Sequence, residues 1–181
     1  FDLPGVQRAN ARFDMAKLDW LNFEHIRALT PDDFKSQALG QLQAAGIDAG
    51  AKDADYTDAA LALCTDKIKN LNDVAGYIGF FFRDEVVLDA EAAAQALTPE
   101  NKPHLAALRE AYAGLATFDA DSLMESLKAT AAAREVKNKV LVMPARVACT
   151  GSKVGPSLYH LMEVLGQAEV LKRFDAALAG M

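Results

Sequence analysis

The chain has 181 residues, of which 51% are hydrophobic, so it is long enough for one or two compact units with a sizeable buried core. Its 25 acidic residues outnumber its 19 lysines and arginines, which excludes a protein that coats nucleic acid through a uniformly basic surface. Any contact with nucleic acid must therefore come from a local basic patch.

The cysteines and the first residues indicate a cytoplasmic protein. Cys64 and Cys149 are far apart and suggest neither a disulfide framework nor a zinc site, which fits a reducing compartment. No apolar run approaches the roughly 20 residues that span a bilayer. Phe1–Gly5 lacks the basic flank and the apolar run of a secretory signal.

Helical periodicity dominates the chain and predicts an all-α fold. Two segments, Thr30–Asp33 and Thr98–Glu100, place a hydroxyl residue at a predicted N-cap, then proline and carboxylates, which is the pattern of a helix start. Asp119 or Asp121 is expected to begin a later helix. Trp20 is predicted to be a core anchor rather than a stacking platform. The expected inner faces are Leu71, Val74, Ala75, Ile78 and Phe82; Leu105, Leu108, Tyr112 and Leu115; Leu123 and Leu127; Leu158, Leu161, Met162 and Leu165; and Val170, Leu171, Phe174 and Leu178.

Gly166 is predicted to separate the last two helices, which then form a short hairpin. Glu169, Lys172, Arg173 and Asp175 are expected to fill the exposed positions of the final helix. This pattern predicts a helix with one apolar stripe and a charged outer face.

The segment Val140–Met143 departs from the helical pattern because it is apolar and β-branched, so it fits a buried strand as well as a helical turn. Pro144 argues against a central strand, and no comparable second strand is available. We therefore expect irregular structure around residues 138–156. The all-α fold is predicted to comprise two consecutive helical subdomains, 1–96 and 97–181, because the composition changes between Asp84 and Thr98.

Two motifs, one near each end of the chain, resemble a known family. The segment Val142–Gly151, followed by Gly155–Tyr159 and Leu165-Gly166, resembles the final domain of bacterial glutamyl-tRNA synthetases, where Pro-Leu-Arg-x-Ala-Leu-Thr-Gly precedes Gly-Pro, an apolar helix and Leu-Gly. Phe13-Asp14 and Lys17–Asn22 resemble the segment that follows the family's signature lysine loop. Departures are Ala145 and Cys149 in place of leucines, Phe23 in place of a small residue, and Lys67 in place of arginine.

The resemblance implies the anticodon-binding part of an enzyme that joins glutamate to tRNA(Glu) with ATP and Mg²⁺. The His-Ile-Gly-His and Lys-Met-Ser-Lys-Ser-like motifs of the family's Rossmann-type catalytic half do not occur in this sequence. We therefore expect no catalytic residue, no cofactor and no Rossmann domain in this chain. The expected partner is the tRNA(Glu) anticodon loop, bound by a monomer, with no DNA or membrane partner.

A local basic stretch offers candidate RNA contacts, since unpaired bases are read by cations and polar groups at an irregular edge. Arg134, Lys137, Lys139, Arg146 and Lys153 occur in one stretch with Glu135 as the only acid. Arg146 is the first candidate, because its planar fork can bind a base edge or a phosphate. An ion pair that anchors the loop is the alternative role for Arg146, and a solvated loop is the alternative for the whole stretch.

The other candidate RNA-binding residues are Lys153, Gly155, Pro156, Ser157, Leu158, Lys67 and Lys69. Gly155–Leu158 opens a helix with free amides, and the matching segment contacts the anticodon in the resembling family, although Leu158 also belongs to the apolar stripe. By resemblance, Lys67 aligns with an arginine associated with the third anticodon position, and an alignment shift of two residues would put Lys69 there. Both lysines also fit plain solvated charges.

Two other possible sites are excluded by their spacing. His25, His104 and His160 lack metal-ligand spacing, and Gly151-Ser152-Lys153 lacks the glycines of a phosphate loop. The competing functions are a helical protein-interaction scaffold and a non-discriminating synthetase that also charges tRNA(Gln).

Overall fold

The computed structural model describes residues 14–181, so the predictions on Phe1–Gly5 and Phe13 lie outside the described residues. This part of the chain contains ten α-helices and no strand, which confirms the all-α prediction. Short 3₁₀ turns, Leu71–Asp73 and Gly79–Phe82, flank the fourth helix. In chain order the helices are α1 (Met15–Arg27), α2 (Pro31–Ala44), α3 (Ala54–Ala62), α4 (Val74–Ile78), α5 (Ala90–Ala96), α6 (Lys102–Ala113), α7 (Ala120–Ala133), α8 (Asn138–Thr150), α9 (Leu158–Leu165) and α10 (Gln167–Gly180).

Short polar side chains begin several of the helices. The Thr30 hydroxyl accepts a hydrogen bond from the Asp33 amide at 3.2 Å, and Asp119 accepts one from the Ser122 amide at 2.7 Å, so both predicted caps are confirmed. The predicted start at Thr98 is wrong, because α6 begins only at Lys102. Pro103 has no N–H to donate to the Pro99 carbonyl, so the turn opened by Thr98 does not continue directly into the helix.

The irregular structure predicted around residues 138–156 is wrong for its first half, because α8 runs through the β-branched segment and contains Pro144. Pro144 cannot donate to the Val140 carbonyl, which removes one hydrogen bond of the helix. The helix nevertheless persists because the side chains of Leu141, Ala145 and Ala148 are buried against the packed helices α6, α7 and α10. In this region, the irregular backbone is limited to residues 151–157, between α8 and α9.

The main apolar core runs through the described chain from Ile26 to Phe174, and Ala92, Ala96 and Val147 form a small second cluster. The largest fully buried side chains of the main core include Tyr112, Phe81 and Phe174. Most of the predicted inner faces are confirmed, because the four apolar residues of α9 and most of those on α4, α6, α7 and α10 belong to this core. The core extends across residues 96 and 97, and the subdomain boundary there stays a prediction.

The two ends of the described chain differ in how they pack. α9 ends at Gly166, as predicted, and α10 begins directly after it; the φ of Gly166 is +78°. The hairpin of these two helices stays a prediction. The prediction that Trp20 anchors the core is wrong, since this side chain is 58% exposed. It lies in the first half of α1, and Ile26 near the end of that helix is its only buried residue. None of the helices in residues 14–181 is both long enough and apolar enough to pass through a bilayer.

Candidate nucleic-acid interface

Arg146 lies on α8. Its side chain is half-buried and reaches the loop that precedes α9. Its Nη1 atom donates a hydrogen bond to the Pro156 carbonyl at 2.7 Å. No carboxylate in residues 14–181 forms a salt bridge with it, so the alternative of an ion-pair anchor does not apply to this part of the chain. Burial lowers the pKa of the guanidinium, and nearby Tyr77 opposes this shift. The Pro156 hydrogen bond fixes the direction of the guanidinium while leaving most of its donors without an acceptor in residues 14–181.

The loop from Gly151 to Ser157 is held at its first end. Gly151 has φ +78°, and its carbonyl accepts a hydrogen bond from the Asp89 amide at 2.9 Å. The Thr150 hydroxyl accepts from the Ser152 amide at 3.1 Å and lies within hydrogen-bond distance of the Arg146 carbonyl. The backbone that leads away from Arg146 is therefore ordered by its own short-range hydrogen bonds.

The Gly155–Leu158 segment closes the loop and begins α9. A Cβ atom on Gly155 would lie 3.5 Å from Arg146 Nη1, which is ordinary contact distance. Pro156 is buried, while Ser157 is exposed and pairs with His160 Nδ1 at 3.1 Å instead of capping the helix. The first amides of α9 consequently have no side-chain cap. Leu158 is only 4% exposed, so its side chain packs in the core.

The charge of Lys153 is balanced by an acidic side chain on the neighbouring helix α5. Its Nζ atom lies 2.8 Å from Glu91 Oε1 and 3.1 Å from Gln95 Oε1, both on α5. The hydrogen bond and the charge of Lys153 lower the pKa of Glu91. Lys153 is therefore the member of the predicted basic stretch with a direct acidic partner.

Lys67 and Lys69 lie on a separate segment that precedes α4. Both are exposed on either side of Ile68, which is 2% exposed and anchors the segment in the core. Neither lysine forms an ion pair or a side-chain hydrogen bond with any described residue. The structure thus keeps the lysines free but does not join them directly to the loop after α8.

Tyr77 on α4 is a residue that the sequence analysis missed. Its pKa is raised by burial and lowered in turn by the positive charge of Arg146, and Cys64 adds a smaller upward shift. Burial outweighs the charge of Arg146, so the pKa of Tyr77 is raised overall. From the sequence, Tyr77 was predicted neither on an inner face nor as a site residue.

Arg173 on α10 was expected to be exposed, and this prediction is wrong because the side chain is only 4% exposed. Its guanidinium donates to the Cys149 carbonyl at 2.6 Å, the Phe80 carbonyl at 3.0 Å and the Glu169 carboxylate at 2.8 Å. The spacing from Glu169 to Arg173 is that of a surface ion pair on a helix, and the carbonyls that bind Arg173 are distant in sequence. Arg173 joins α10 to the end of α8 and to the turn before Arg83.

The predicted basic stretch is divided along α8. Lys137 and Lys139 lie at its first turn, Arg146 lies in its second half, and Lys153 follows its end. The 13 residues of α8 give it a length of about 20 Å.

In the described part of the chain, no three His, Cys, Asp or Glu side chains are grouped so that they could hold a metal ion.

Comparison with known proteins relates this helical arrangement to one family. The model of a family described as an anticodon binding domain matches residues 25–178. A glutamate–tRNA ligase of Elusimicrobium minutum is 32% identical over 177 residues, which are 98% of this chain and 36% of that protein. Glutamate–tRNA ligase 2 of Koribacter versatilis is 35% identical over 178 residues, which are 98% of this chain and 37% of that protein.

A solved structure gives the same match in three dimensions. The crystal structure of a glutamate tRNA ligase from Elizabethkingia meningosepticum, in complex with its amino acid, superposes with a TM-score of 0.78 at 25% identity. The match covers 99% of this chain and 35% of that one. The chain thus spans just over a third of the length of the relatives that it matches, and these matches do not favour the scaffold alternative.

Proposed function

The chain belongs to the anticodon-binding domain family, and from that premise we propose that it is the tRNA-reading part of a longer glutamate–tRNA ligase. In this proposal a cytoplasmic monomer binds the anticodon loop of tRNA(Glu). The observation that carries it is the half-exposed guanidinium of Arg146, held by the Pro156 carbonyl at 2.7 Å beside the start of α9.

The chemistry of an unpaired base supports this role for Arg146. Anticodon bases have no partner strand, so a protein can splay them apart and bind their edges through arginine and backbone amides. The hydrogen bond to Pro156 restricts the fork before RNA arrives, which reduces the entropy lost on binding. The N–H groups not used by Pro156 remain for a base edge or a phosphate.

The neighbouring segment supplies a second kind of donor. Gly155 has no side chain beyond its Cα, so a base can approach Arg146 closely from that direction. The first amides of α9, at Leu158 and the residues that follow, have no acceptor within the helix and favour an RNA oxygen. Leu158 contributes through its backbone in this proposal, because its side chain is in the core.

Lys67 and Lys69 are proposed to contact a further nucleotide of the same loop. Both side chains are exposed and unpaired in the described chain, and buried Ile68 between them fixes their direction. Lys153 is proposed to reach a phosphate only after it leaves Glu91. Lysines act as point charges rather than forks, so they suit phosphates better than base edges.

The ligation of glutamate is proposed for the rest of the longer protein, together with its need for ATP and Mg²⁺. In this proposal no step of that reaction is assigned to the residues of this chain. The contribution of this chain is to hold the tRNA and thereby position its acceptor end.

Arg146→Ala in the longer protein tests the proposal. Losing one bidentate base contact costs about 1–3 kcal/mol, so tRNA(Glu) affinity should fall by roughly 5- to 150-fold. The affinities for glutamate and ATP should stay unchanged. Fluorescence anisotropy gives the tRNA affinity, and isothermal titration calorimetry gives the affinities of the small substrates.

Arg109→Ala is the matched control, since Arg109 is also a forked cation but is bound bidentately by Asp175 on the surface. It should leave tRNA binding unchanged. Equal tRNA affinities for the Arg146→Ala protein and its parent, with both proteins folded, would remove Arg146 from the interface and reject the proposal.

A further inference from the structure

A cluster of basic side chains lies where α7 ends and α8 begins, at the opposite end of α8 from the Gly151–Ser157 loop. We call this cluster, formed by His104, Arg134, Lys137 and Lys139, the basic corner. Lys137 and Lys139 are exposed and form no ion pair with any described residue. Glu135 is the only acidic residue between Arg134 and Lys139. The corner therefore has excess positive charge in a chain whose net charge is -6.

A hydrogen bond between two basic side chains joins the corner to α6. Arg134 Nε donates a hydrogen bond to His104 Nδ1 at 2.9 Å. No carboxylate in residues 14–181 forms a salt bridge with this guanidinium. The bond orients Arg134 while leaving its Nη groups without an acceptor in residues 14–181.

The turn between the two helices is well defined. Glu135 has φ 56°, a left-handed conformation, and the Val136 amide donates to the Ala131 carbonyl at 3.0 Å. This closing pattern fixes where the chain enters α8, so Lys137 begins the helix with an extended backbone. No acidic residue occupies the first turn of α8 to offset the lysines.

The basic corner and Arg146 are aligned along α8. Lys139 and Arg146 are seven residues apart, which is close to two full turns, so both lie on the same face at an axial separation of about 10 Å. Met143 lies between them on that face and is 38% exposed. A nucleic-acid strand that reaches Arg146 along this open face therefore passes the basic corner.

We propose that the basic corner is a second RNA contact, which binds phosphates of the same anticodon arm without reading its sequence. This inference rests on the proposed function of Arg146. Exposed lysines neutralise phosphates but do not distinguish bases, so the corner would fix the register of the RNA while Arg146 reads it.

The test is the salt dependence of tRNA binding by the longer protein with Lys137→Ala and Lys139→Ala combined. Each neutralised phosphate contributes about 0.7–0.9 to the slope of log K against log salt concentration. The double variant should therefore lower the magnitude of that slope by roughly 1.4–1.8. Affinity should fall by the same factor for tRNA(Glu) and for a tRNA(Glu) with an altered anticodon, as measured by fluorescence anisotropy.

The matched control combines Lys35→Ala with Lys52→Ala, which removes the same charge from α2 and from the segment before α3. Its salt slope should equal that of the parent protein. An unchanged slope in the Lys137/Lys139 variant overturns the inference. So does a loss confined to the natural anticodon, because that would be base reading.

The same measurements separate this inference from the proposed function. If Arg146→Ala has no effect and the Lys137/Lys139 variant lowers the slope, the role of Arg146 fails and the basic corner stands as an RNA contact. If Arg146→Ala weakens binding and the double variant leaves the slope unchanged, only the basic corner is rejected. Substituting two exposed lysines leaves the core intact, and thermal melting of each variant verifies this.

Discussion

Arg146 and Arg173 are the same side chain on two packed helices, and their surroundings are opposite. Arg173 is 4% exposed, and its guanidinium is bound by three backbone carbonyls, of Cys149, Phe80 and Arg83, and by the Glu169 carboxylate. Arg146 is half-buried and has one acceptor within the described part of the chain, the Pro156 carbonyl. The guanidinium donors of Arg173 bind acceptors within the protein and join its helices, whereas Arg146 keeps unused donors that are available to a ligand.

The two ends of α8, the helix that carries Arg146 and whose Cys149 carbonyl binds Arg173, show a similar contrast. The last turn of α8 is tied to its surroundings by Arg173, by the Thr150 hydroxyl and by the Gly151–Asp89 hydrogen bond. The opposite end bears exposed Lys137 and Lys139. The last turn of α8 is thus the rigid end of the helix, held by hydrogen bonds to neighbouring segments, whereas its first turn carries exposed lysines.

Removing Arg173 should produce the largest loss of stability. Arg173→Ala leaves the Cys149 and Phe80 carbonyls without their donor and leaves the partly buried Glu169 carboxylate with Lys172 alone. Deleting one partner of such a buried group costs about 3–5 kcal/mol. Urea unfolding followed by circular dichroism measures the change in free energy. Arg109→Ala on the solvent-facing side of α6, which loses an exposed ion pair with Asp175, should change it much less.

Equal effects of the two substitutions would contradict the assignment of Arg173 as a buried joint. The Arg173→Lys protein adds a second comparison, since lysine keeps the charge but lacks the planar fork. It should recover only part of the lost free energy, because a single ammonium group cannot reach the carbonyls of Cys149 and Phe80 and the carboxylate of Glu169 in the same geometry.

Local signals predicted what depends on neighbouring residues. The Thr30 and Asp119 caps, the stop at Gly166 and the apolar stripe from Leu158 to Leu165 are each encoded within a few positions, and the structure confirms them. The prediction of Arg146 as a candidate also came from a local motif and a family resemblance. Its contact with Pro156 lies only ten residues away.

Distant partners explain the wrong predictions. Arg173 was placed on the surface because Glu169 pairs with it locally, while the carbonyl of Phe80 that draws it inward is 93 residues away. Helix α8 was missed because Pro144 and the β-branched run oppose a helix locally, and packing against α6, α7 and α10 overrides them. The roles of Arg146, Lys67, Lys69, Lys153 and the Gly155–Leu158 segment in RNA binding all stay predictions.

Gly151 offers the next largest effect and tests the rigid end of α8. A Cβ atom there would lie 2.0 Å from the Val87 carbonyl oxygen and 2.8 Å from its carbon, so backbone has to move. Overpacking of about 1–3 kcal/mol adds to roughly 1 kcal/mol for the left-handed conformation, so Gly151→Ala should cost about 2–4 kcal/mol. Urea unfolding measures this cost.

Gly46→Ala is the control for that substitution. Gly46 also has a positive φ, of +72°, but nothing lies within 4 Å of its added Cβ atom. It should show only the conformational cost of about 1 kcal/mol. If the two alanine variants unfold at the same urea concentration, the close approach of Val87 does not stabilise the rigid end.

The smallest effect concerns Glu169, the carboxylate that binds Arg173. Partial burial would raise the pKa of Glu169, but hydrogen bonds and charge from Arg173 and Lys172 outweigh it and lower the pKa overall. A carboxylate whose pKa is lower in the folded state stabilises the protein above its unfolded pKa, near 4.3, and loses that contribution as the pH falls through the folded value. Melting temperatures of the parent should therefore decline as the pH is lowered from about 5 toward 3.

Glu169→Gln removes the titrating group, so this variant should be less stable than the parent at neutral pH and should show a shallower decline in acid. Glu91→Gln is the control, because Glu91 also has a lowered pKa but is an exposed partner of Lys153. Salt at about 0.5 M should suppress the contribution of exposed Glu91 and largely preserve that of Glu169. Parallel melting curves for the parent and the Glu169→Gln protein across this pH range would mean that Arg173 is held by the carbonyls alone, and that the carboxylate at the edge of the cluster adds nothing to the joint.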